Sequence, residues 1–431
     1  MRKINVGLIG FGTVGSGVVK ILREKKSLIS SKIGLEIAIK KICDKDLSAK
    51  RNVSVDKALF TKDPGDVIND PAIDIVIELI GGINPAKEFI SEAIKKGKSI
   101  VTANKALLSQ HGRELFTLAI DKQKSIYFEA SVGGGIPIIK AVREGLVANN
   151  FSGVFGIVNG TSNFILSQMS ETDCTFKVAL IDAQKKGYAE KDPSLDIDGA
   201  DSAHKLALLV YLCYGKWVGI DEIYTEGISQ ISSLDVNFAN ELGFEIKLLA
   251  IAKKEGDELE VRVHPTLIPK SHLLASVDGI NNAIYVESDL AGDLLFYGPG
   301  AGQLTAASAV VSDLVDLSQG LKAGLFRPTL NIVEDKSIKK LRKIDDFESR
   351  YYIRFSAVDK PGVLAKISGI LAKFGISIAS VTQKEKSRAQ EVPIVMIVHN
   401  AKEKNLRQAL GIIDKFNVIK EKTVAIRMEE A

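Results

Sequence analysis

Residues 4–23, INVGLIGFGTVGSGVVKILR, decide the fold of the N-terminal part of this chain. The apolar run Ile4 to Ile9 predicts a buried strand, and Ser16 to Arg23 has the apolar spacing of a helix. The loop between them, GFGTVG, permits a tight turn and the close approach of a pyrophosphate at the helix N-terminus. Strand, loop and helix in this order predict a dinucleotide-binding α/β domain. The expected cofactor contacts are Gly10, Phe11, Gly12, Thr13, Val14 and Gly15.

An acidic residue follows the second predicted strand, which runs from Glu36 to Ile42 and leads to Asp44. An acid at this place normally accepts hydrogen bonds from the adenosine ribose hydroxyls, although the spacing from the glycine loop is longer here than the usual ~20 residues. Lys45, Lys50 and Arg51 follow closely and are suited to a 2′-phosphate. The choice between NAD and NADP therefore stays open at this stage.

The next predicted strands alternate with helices, as in a doubly wound parallel sheet. The strand Ser99 to Val101 delivers Thr102 and Lys105 at its carboxyl end. Ligands bind outside that edge of such sheets, so both residues are expected to reach the cofactor or the substrate. A surface lysine that opens the following helix explains Lys105 equally well from its position alone.

An unusually acidic stretch, GYAEKDPSLDIDGADSAHKLALL, extends from Gly187 to Leu209. A helix start at Asp198 places Asp201 and Lys205 four residues apart on one face, where an exposed pair is worth only ~0.3–0.5 kcal/mol. The loop carries more acids than a turn requires, however, and Lys205 has apolar neighbours. A partly buried lysine held by a carboxylate can donate a proton, and the remaining carboxylates can hold a substrate ammonium group.

The middle of the chain mixes strands with helices. Three glycines within Ser131 to Pro137 predict a tight loop at a ligand, an ion or simply a domain junction. Helices are predicted at Ile138 to Leu146 and Asp235 to Lys253, with strands near 153–159, 223–227 and 259–265. This pattern indicates a separate α+β substrate domain. The helix Thr305 to Leu317 is expected to return to the nucleotide domain.

Four regions follow from these patterns. The nucleotide domain is expected at 1–137, completed by a helix at 305–320, and the substrate, catalytic and dimerisation domain at 138–304. A charged linker is predicted at 330–350. Residues 351–431 show the order βαββαβ of ferredoxin-like folds.

Composition excludes several classes of protein. The chain has 431 residues, 45% of them hydrophobic, and a formal net charge of only +4 with dispersed basic residues, unlike a nucleic-acid binder. Its cysteines, Cys43, Cys174 and Cys213, show neither CxxC spacing nor a nearby histidine cluster, so no disulfide framework or zinc site is predicted. A cytoplasmic protein without a signal or membrane-spanning segment is expected.

These motifs resemble homoserine dehydrogenases over nearly the whole chain. The resemblance rests on GFGTVG, TANK at 102–105, EASVGGGIP at 129–137, NGTSN at 159–163 and, above all, GYAEKDPSLDIDGADSAHK at 187–205. The C-terminal VDKPGVLAKI, at 358–367, resembles an ACT domain, a module that often binds amino acids. The implied fold is a Rossmann-type nucleotide domain, an α+β catalytic domain and a ferredoxin-like ACT domain.

The resemblance implies NAD(P)-dependent interconversion of L-aspartate 4-semialdehyde and L-homoserine, with Lys205 as proton donor and Lys105 as a second lysine near the nicotinamide. It implies that the substrate is bound by Glu190, Asp196, Asp201, Thr161 and Tyr188, and that the nicotinamide side is lined by Gly187 and Gly302. A monovalent cation such as sodium would be bound by Glu129 and the carbonyls of Val132, Gly134 and Ile136. Lys191 departs from the family pattern of a small or proline residue.

The ACT resemblance predicts an amino-acid effector, with threonine as the first candidate, near the turn that contains Asp359 and Gly362. The alternative is that this domain only stabilises a homodimer or homotetramer. Two other functions are alternatives: a related enzyme such as aspartate-semialdehyde dehydrogenase, which needs a nucleophilic cysteine, and a catalytically silent amino-acid sensor. The intact acidic residues and lysines oppose the sensor, and neither Cys43 nor Cys213 is well presented for acylation.

Overall fold

The computed structural model describes residues 3–47, 49, 51–326, 328, 336–383 and 391–429. The chain forms two compact units. Unit 1 comprises Met1–Val154, Asp201–Ile223 and Asn282–Lys336. Unit 2 comprises Phe155–Ala200, Tyr224–Asn281 and Ser337–Ala431. The expected boundary at 137/138 stays a prediction; in the structure, 201–223 and 282–304 group with unit 1.

Unit 1 is built on a six-stranded parallel sheet with the order β3-β2-β1-β4-β5-β6. The strand order reverses between β1 and β4, which is where ligands bind in such sheets. The strands are β1 (Lys3–Ile9), β2 (Glu36–Cys43), β3 (Phe60–Thr61), β4 (Ile75–Glu78), β5 (Ser99–Thr102) and β6 (Ile126–Tyr127). The intervening helices are α1 (Thr13–Glu24), α2 (Lys26–Ile33), α3 (Gly65–Ile68), α4 (Ala86–Lys95) and α5 (Lys105–Asp121).

The core of this sheet includes a helix from much later in the chain, α12 (Gln303–Lys322). Its residues Ala307, Val310 and Leu314 are buried in one apolar cluster with Val6 and Leu8 of β1. A side chain at Gly17 of α1 would approach the main-chain oxygen of Gln303 to 2.9 Å, so glycine permits the close contact between α1 and α12. The predicted α/β nucleotide fold is confirmed.

Unit 1 also holds the long helix α10 (Ala200–Tyr214) and the strand β11 (Asn281–Ser288), each without its first residue, and the strand β12 (Gly292–Pro299). The helix predicted at Ile138 to Leu146 is only partly correct. One α-helical turn, α6 (Ile138–Lys140), passes into a π-helical turn, Ala141–Gly145. Apolar periodicity does not distinguish these two helical geometries.

The chain enters unit 2 within β7 (Phe151–Ile157). The helices that follow are α7 (Gly160–Thr172), α8 (Phe176–Lys185), α9 (Ser194–Ile197) and α11 (Ser233–Glu241). The short strand β8 (Tyr224–Thr225) runs parallel to β10 (Glu258–Pro269), which pairs along its whole length with the antiparallel strand β9 (Phe244–Glu255). These elements form the mixed layer of the predicted catalytic domain.

The C-terminal elements have the predicted order βαββαβ: β14 (Glu348–Val358), α13 (Val363–Lys373), β15 (Ile378–Gln383), β16 (Glu391–Lys402), α14 (Glu403–Ile413) and β17 (Val424–Met428). Their sheet order, β17-β14-β16-β15, is ferredoxin-like and confirms the predicted fold class. A parallel pairing of Thr266 with Arg427 and of Leu267 with Met428 joins β17 to β10. This sheet is therefore continuous with the preceding layer.

Two predicted elements are corrected by the structure. The helix expected at Asp235 to Lys253 ends at Glu241, and the apolar run after Gly243 (φ +84°) forms β9, because a short buried run fits a strand as well as a helix. The linker predicted at 330–350 contains β13 (Lys340–Leu341), paired with β10, and the first residues of β14. Its residues 330–335 lie outside the described part of the chain. No helix in the described ranges has the length and apolarity to cross a membrane.

Candidate functional site

The glycine loop of unit 1 has the geometry of a phosphate-binding turn. Gly10 has φ +102°, and a Cβ there would lie 2.7 Å from the main chain of Leu79. A Cβ at Gly15 would lie 2.1 Å from the carbonyl oxygen of Gly10, whereas nothing lies within 4 Å of one at Gly12. Helix α1 begins here without a side-chain cap, so its first N–H groups remain available to an anion.

A cleft of about 430 Å³ adjoins this loop and is bordered by Gly10, Gly12, Asp44, Ile80 and Gly81 among others. It lies at the carboxyl ends of β1 and β4, where the strand order reverses. The glycine loop and the open cleft beside it are suited to the phosphates of a dinucleotide. Thr13 and Val14 form the first turn of α1 beside it.

Asp44 is the centre of a polar group at one end of this cleft. Its Oδ2 accepts the backbone N–H of Phe11 at 2.6 Å, and its Oδ1 lies 3.3 Å from a guanidinium nitrogen of Arg51. Arg51 also lies over the Phe11 ring, 4.8 Å from its centroid, and donates to the Phe11 carbonyl. Lys45 is exposed beside Asp44, and Lys50 lies outside the described residues. The charge of Asp44 is thus largely compensated.

A buried carboxylate that was not singled out from the sequence holds the next loop. Glu78, the last residue of β4, accepts the Thr102 hydroxyl at 2.7 Å and the backbone N–H of Ile80 at 2.8 Å. Burial raises the pKa of Glu78 despite these donors. Asn104 caps α5 and donates to the Gly82 carbonyl at 2.6 Å. An acid that ends an apolar strand was the available signal for Glu78.

The structure brings the two predicted catalytic lysines together at one carboxylate. Lys205 Nζ lies 2.6 Å from Oδ2 of Asp201, and Lys105 Nζ lies 3.1 Å from Oδ1 of the same residue. The side chains of Lys205 and Asp201 are 12% and 11% exposed, whereas Lys105 is 40% exposed. Asp201 and Lys205 lie one turn apart on α10, and Lys105 begins α5. The group therefore differs from an exposed Asp201–Lys205 ion pair, because both side chains are largely buried and a second lysine contacts the same carboxylate.

The triple-glycine loop of unit 1 contains two buried main-chain carbonyls, those of Val132 and Gly134. Gly133 and Gly134 have φ of +69° and +60°, and a Cβ at Gly134 would lie 2.2 Å from the Gly300 carbonyl oxygen. Val132 and Gly134 are buried, and no hydrogen-bond donor to their carbonyl oxygens is found within the described ranges. The Ile136 carbonyl accepts the N–H of Ile138 at 2.8 Å. Unmatched buried carbonyls are costly and fit a hard cation.

The Glu129 side chain is engaged in the same region. Its carboxylate accepts the backbone N–H groups of Ile139 and Lys140, at 2.8 and 2.9 Å. Burial raises its pKa, and burial together with Glu129 raises the pKa of Asp313 well above the ordinary range. Asp313, which was not predicted, accepts the Glu129 N–H at 2.7 Å. No cluster of three or more His, Cys, Asp or Glu side chains suited to a metal occurs in the part of the chain that is described.

The predicted substrate residues of unit 2 lie in the loop region that precedes α10 or form hydrogen bonds to it. Asp196 accepts the Asn159 amide at 2.7 Å through Oδ1, and the Thr161 hydroxyl donates to the Tyr188 carbonyl at 2.7 Å. The Tyr188 ring packs edge-on against Phe164, and Glu190 is exposed. These contacts order the loop while the Glu190 carboxylate faces solvent.

The remaining predicted residues lie at chain turns. Gly187 (φ +75°) follows α8, and Gly302 (φ +131°) precedes α12, so both occupy backbone conformations that favour glycine. Lys191 is exposed. Asp359 and Gly362 lie in the exposed turn before α13, where Gly362 has φ +88°.

The structure disfavours nucleophilic chemistry at Cys43 and Cys213. Burial and the neighbouring Asp44 raise the pKa of Cys43 to about 11, and burial raises the pKa of Cys213 to about 12. Neither thiol supplies a thiolate at neutral pH. This disfavours the alternative of an acylating dehydrogenase.

Known proteins resemble this chain over its whole length. A family model described as homoserine dehydrogenase matches residues 137–315, one for the homoserine dehydrogenase NAD binding domain matches 10–129, and one for the ACT domain matches 351–417. Homoserine dehydrogenase of Neisseria gonorrhoeae is 42% identical, with 100% of this chain and 99% of the relative covered. The chain belongs to the homoserine dehydrogenase family. The homoserine dehydrogenase of Bacillus subtilis is 37% identical, with 100% and 99% covered.

Solved structures agree with this assignment. A homoserine dehydrogenase from Thiobacillus denitrificans has a TM-score of 0.93 at 42% identity, covering 100% of this chain and 99% of that one. A hyperthermophilic archaeal homoserine dehydrogenase in complex with NADPH has a TM-score of 0.64 at 28% identity, covering 76% and 100%. As a member of this family, the chain is an oxidoreductase with a nucleotide-binding domain and a C-terminal ACT domain. The predicted family is confirmed.

Proposed function

We propose that this chain interconverts L-aspartate 4-semialdehyde and L-homoserine with NAD(P), in the branch that leads to threonine, methionine and isoleucine. The observation that carries the proposal is the pair of ammonium groups, Lys205 and Lys105, held by the single carboxylate of Asp201 at 2.6 and 3.1 Å. Reduction of an aldehyde places negative charge on its oxygen, which such a group stabilises. The family relatives at 42% identity support the same reaction.

Lys205 is the proposed proton donor. Its side chain is largely buried, and Asp201 keeps the ammonium group in one place. When bound, the nicotinamide would supply or accept the hydride at the substrate carbon. In the reductive direction Lys205 gives its proton to the carbonyl oxygen, and in the oxidative direction the neutral amine removes the hydroxyl proton. Lys105, which is more exposed, orients the same oxygen and is the second catalytic residue.

The nucleotide is proposed to lie along the glycine loop, with its pyrophosphate at the N-terminus of α1 and Thr102 near the nicotinamide. NADP is the proposed preferred form. The guanidinium of Arg51 is close to Asp44 and compensates the charge that would repel a 2′-phosphate. Arginine binds phosphate through several donors at once, and exposed Lys45 adds a second positive charge. NAD remains the alternative, because Asp44 is the residue type that accepts ribose hydroxyls.

Substrate binding is proposed for the acidic loop of unit 2. The exposed carboxylate of Glu190 is suited to a substrate ammonium group, and Asp196 is held in place by Asn159. Asp201 is also proposed to contribute to substrate binding, because it holds Lys205 and Lys105 at the substrate oxygen. The Thr161 hydroxyl supports the loop by donating to the Tyr188 carbonyl. Gly187 and Gly302 are each proposed as contacts of the nicotinamide, because neither carries a side chain. Lys191 is exposed, and no role is proposed for it.

A monovalent cation such as sodium is proposed at the triple-glycine loop. The buried carbonyls of Val132 and Gly134 fit it, together with Glu129 and the carbonyl of Ile136. Hard cations prefer oxygen ligands, which main-chain carbonyls supply without a side-chain charge. The carboxylate of Glu129 then acts indirectly, because it binds the N–H groups at the start of α6.

The ACT domain is proposed to bind an amino-acid effector at the turn that holds Asp359 and Gly362, with threonine as the first candidate. Its exposure leaves the turn accessible to a small ligand. The exposed residues of β15, such as Val381, form an open sheet edge, and we propose a homodimer or homotetramer that pairs through such edges. A cytoplasmic location is proposed because the three cysteines are free and show no disulfide spacing.

The test is an initial-rate assay with purified protein. L-Homoserine with NADP, and in parallel with NAD, is expected to produce reduced cofactor, and the ratio of kcat/KM values gives the preference. The same reaction with added threonine, methionine and isoleucine tests the effector. Absence of turnover with either cofactor, in a folded protein that binds NADP, would overturn the proposed reaction.

A further inference from the structure

Helices α5 and α10 are joined by two polar contacts that lie side by side. Lys105 of α5 contacts Asp201 of α10 at 3.1 Å, and Ser109 Oγ lies 2.7 Å from Nδ1 of His204. Lys105 and Ser109 are four residues apart, and Asp201 and His204 three, so each pair shares one helical face. The second contact therefore lies one turn further along both helices.

The hydrogen-bonding options of Ser109 favour one arrangement. Its hydroxyl is buried and also lies 3.1 Å from the carbonyl oxygen of Ala106. A hydroxyl has a single proton, which it can donate to Ala106 while it accepts the Nδ1–H of His204. Both contacts are then satisfied at once. The serine thereby holds the imidazole ring against α5.

His204 is suited to this task because its surroundings favour the neutral ring. Burial lowers its pKa; Asp201 opposes this change, whereas Lys105 adds to it. An uncharged ring does not compete with the two lysines for the carboxylate of Asp201. The contact with Ser109 therefore adds rigidity without changing the charge balance of the lysine group.

Aromatic packing joins these helices further from their N-termini. A Cβ at Gly112 of α5 would approach the Trp217 ring to 2.8 Å, and Phe116 lies 6.2 Å from that ring. Tyr211 of α10 stacks on Trp217 with ring centroids 3.9 Å apart. Apolar packing thus holds the later turns of the helix pair, and the Ser109 contact lies in the turns nearer to Lys105 and Asp201.

We infer that Ser109 and His204 are positioning residues that set the distance between Lys105 and the Asp201–Lys205 pair. This inference rests on the proposed reaction, in which both lysines act on one substrate oxygen. Neither residue needs to touch the substrate. Small displacements of catalytic groups reduce turnover strongly, by as much as ~10²-fold for about 1 Å. The structure therefore assigns these residues an effect on kcat through geometry.

The test compares Ser109→Ala with the wild-type enzyme. Serine and alanine differ by one atom, so the fold and the melting temperature are expected to change little. We expect kcat with L-homoserine to fall about 10-fold or more, with KM and the dissociation constant of NADP within about twofold. Thr117→Ala, which removes an exposed hydroxyl that bonds the Arg113 carbonyl on the same helix, is the matched control and is expected to leave kcat unchanged.

A second pair of variants separates position from packing. Asparagine presents an amide N–H near the place of Nδ1, so His204→Asn is expected to retain most of kcat, whereas His204→Leu is expected to lose it. Unchanged kcat in both Ser109→Ala and His204→Leu would overturn the inference. Equal losses in His204→Asn and His204→Leu with unfolding would show a structural role only, and would also overturn it. Failure of the proposed reaction is distinct, because the wild-type protein would then show no turnover.

Discussion

Replacement of Lys205 by methionine removes the proposed proton donor and retains most of the side-chain volume. General acid catalysis is typically worth ~10²–10⁴-fold, which corresponds to ~3–5 kcal/mol in the transition state. We expect kcat to fall by this factor. The dissociation constant of NADP is expected to stay within about threefold, because Lys205, which contacts Asp201 at 2.6 Å, is assigned to the substrate oxygen and not to the cofactor phosphates.

The cost to folding can be estimated from the same contacts. Removing one partner of a buried ion pair typically costs ~3–5 kcal/mol, because the other charge is left unpaired. Here Asp201 retains Lys105 at 3.1 Å, so a smaller loss of roughly 1–3 kcal/mol in the free energy of unfolding is expected. Lys205→Met should therefore remain folded and measurable at 25 °C.

The assay combines steady-state rates with L-homoserine, NADP binding by fluorescence and unfolding in urea. Lys87→Met is the matched control, since Lys87 also bonds a carboxylate, that of Glu114 at 2.8 Å, and belongs to none of the groups assigned to the reaction. Its kcat should equal that of the wild type. A folded Lys205→Met enzyme with kcat within threefold of the wild type would refute the assignment.

Four further outcomes are expected. Arg51→Gln should raise KM for NADP at least about tenfold while KM for NAD changes little, since a charge-assisted phosphate contact is lost; an equal change for both cofactors would oppose the role of Arg51. Gly134→Ala forces a Cβ to 2.2 Å from the Gly300 oxygen and should lower the melting temperature and abolish any difference in rate between sodium and choline chloride; a retained sodium response would exclude this loop as the cation site. Asp235 is fully buried, and its carboxylate lies 2.6 Å from Arg354 Nε. Arg354→Met removes its charge partner and should lower the free energy of unfolding in urea by ~3–5 kcal/mol, and by less when Asp235→Leu is added. Additive losses would argue against a coupled pair. Burial, with Arg427 and Arg262, holds the pKa of His264 well below its usual value. Below about pH 6.5 the unfolded chain therefore binds a proton that the native state does not, and the free energy of unfolding should fall by up to ~1.4 kcal/mol for each unit by which the pH is lowered. The same pH dependence in His264→Gln would contradict this.

Local patterns were sufficient for much of the fold. The glycine loop, its flanking strand and helix, and the βαββαβ order of the last domain each follow from features within a few tens of residues, and the structure shows all of them. The strand after Gly243 could not be predicted from local patterns, because its apolar run suits both a helix and a strand. Pairing with β10 decides for the strand, and such long-range pairing leaves no local signal.

The candidate site was predictable to a similar depth. Asp201 and Lys205 are one helical turn apart in sequence, so their contact could be anticipated. The convergence of Lys105 on the same carboxylate could not, because it depends on how α5 packs against α10. Glu78 and Asp313 were missed for the same reason: their partners, Thr102 and Glu129, lie far along the chain.

The central claim is most directly tested by following the hydride itself. The protein is incubated with L-aspartate 4-semialdehyde and reduced NADP that carries deuterium at the transferable position, and the product is examined by mass spectrometry. The account predicts L-homoserine with one deuterium at the carbinol carbon, formed at a rate that Lys205→Met lowers by ~10²–10⁴-fold. Unlabelled product, or no homoserine from a folded, nucleotide-binding protein, would contradict it.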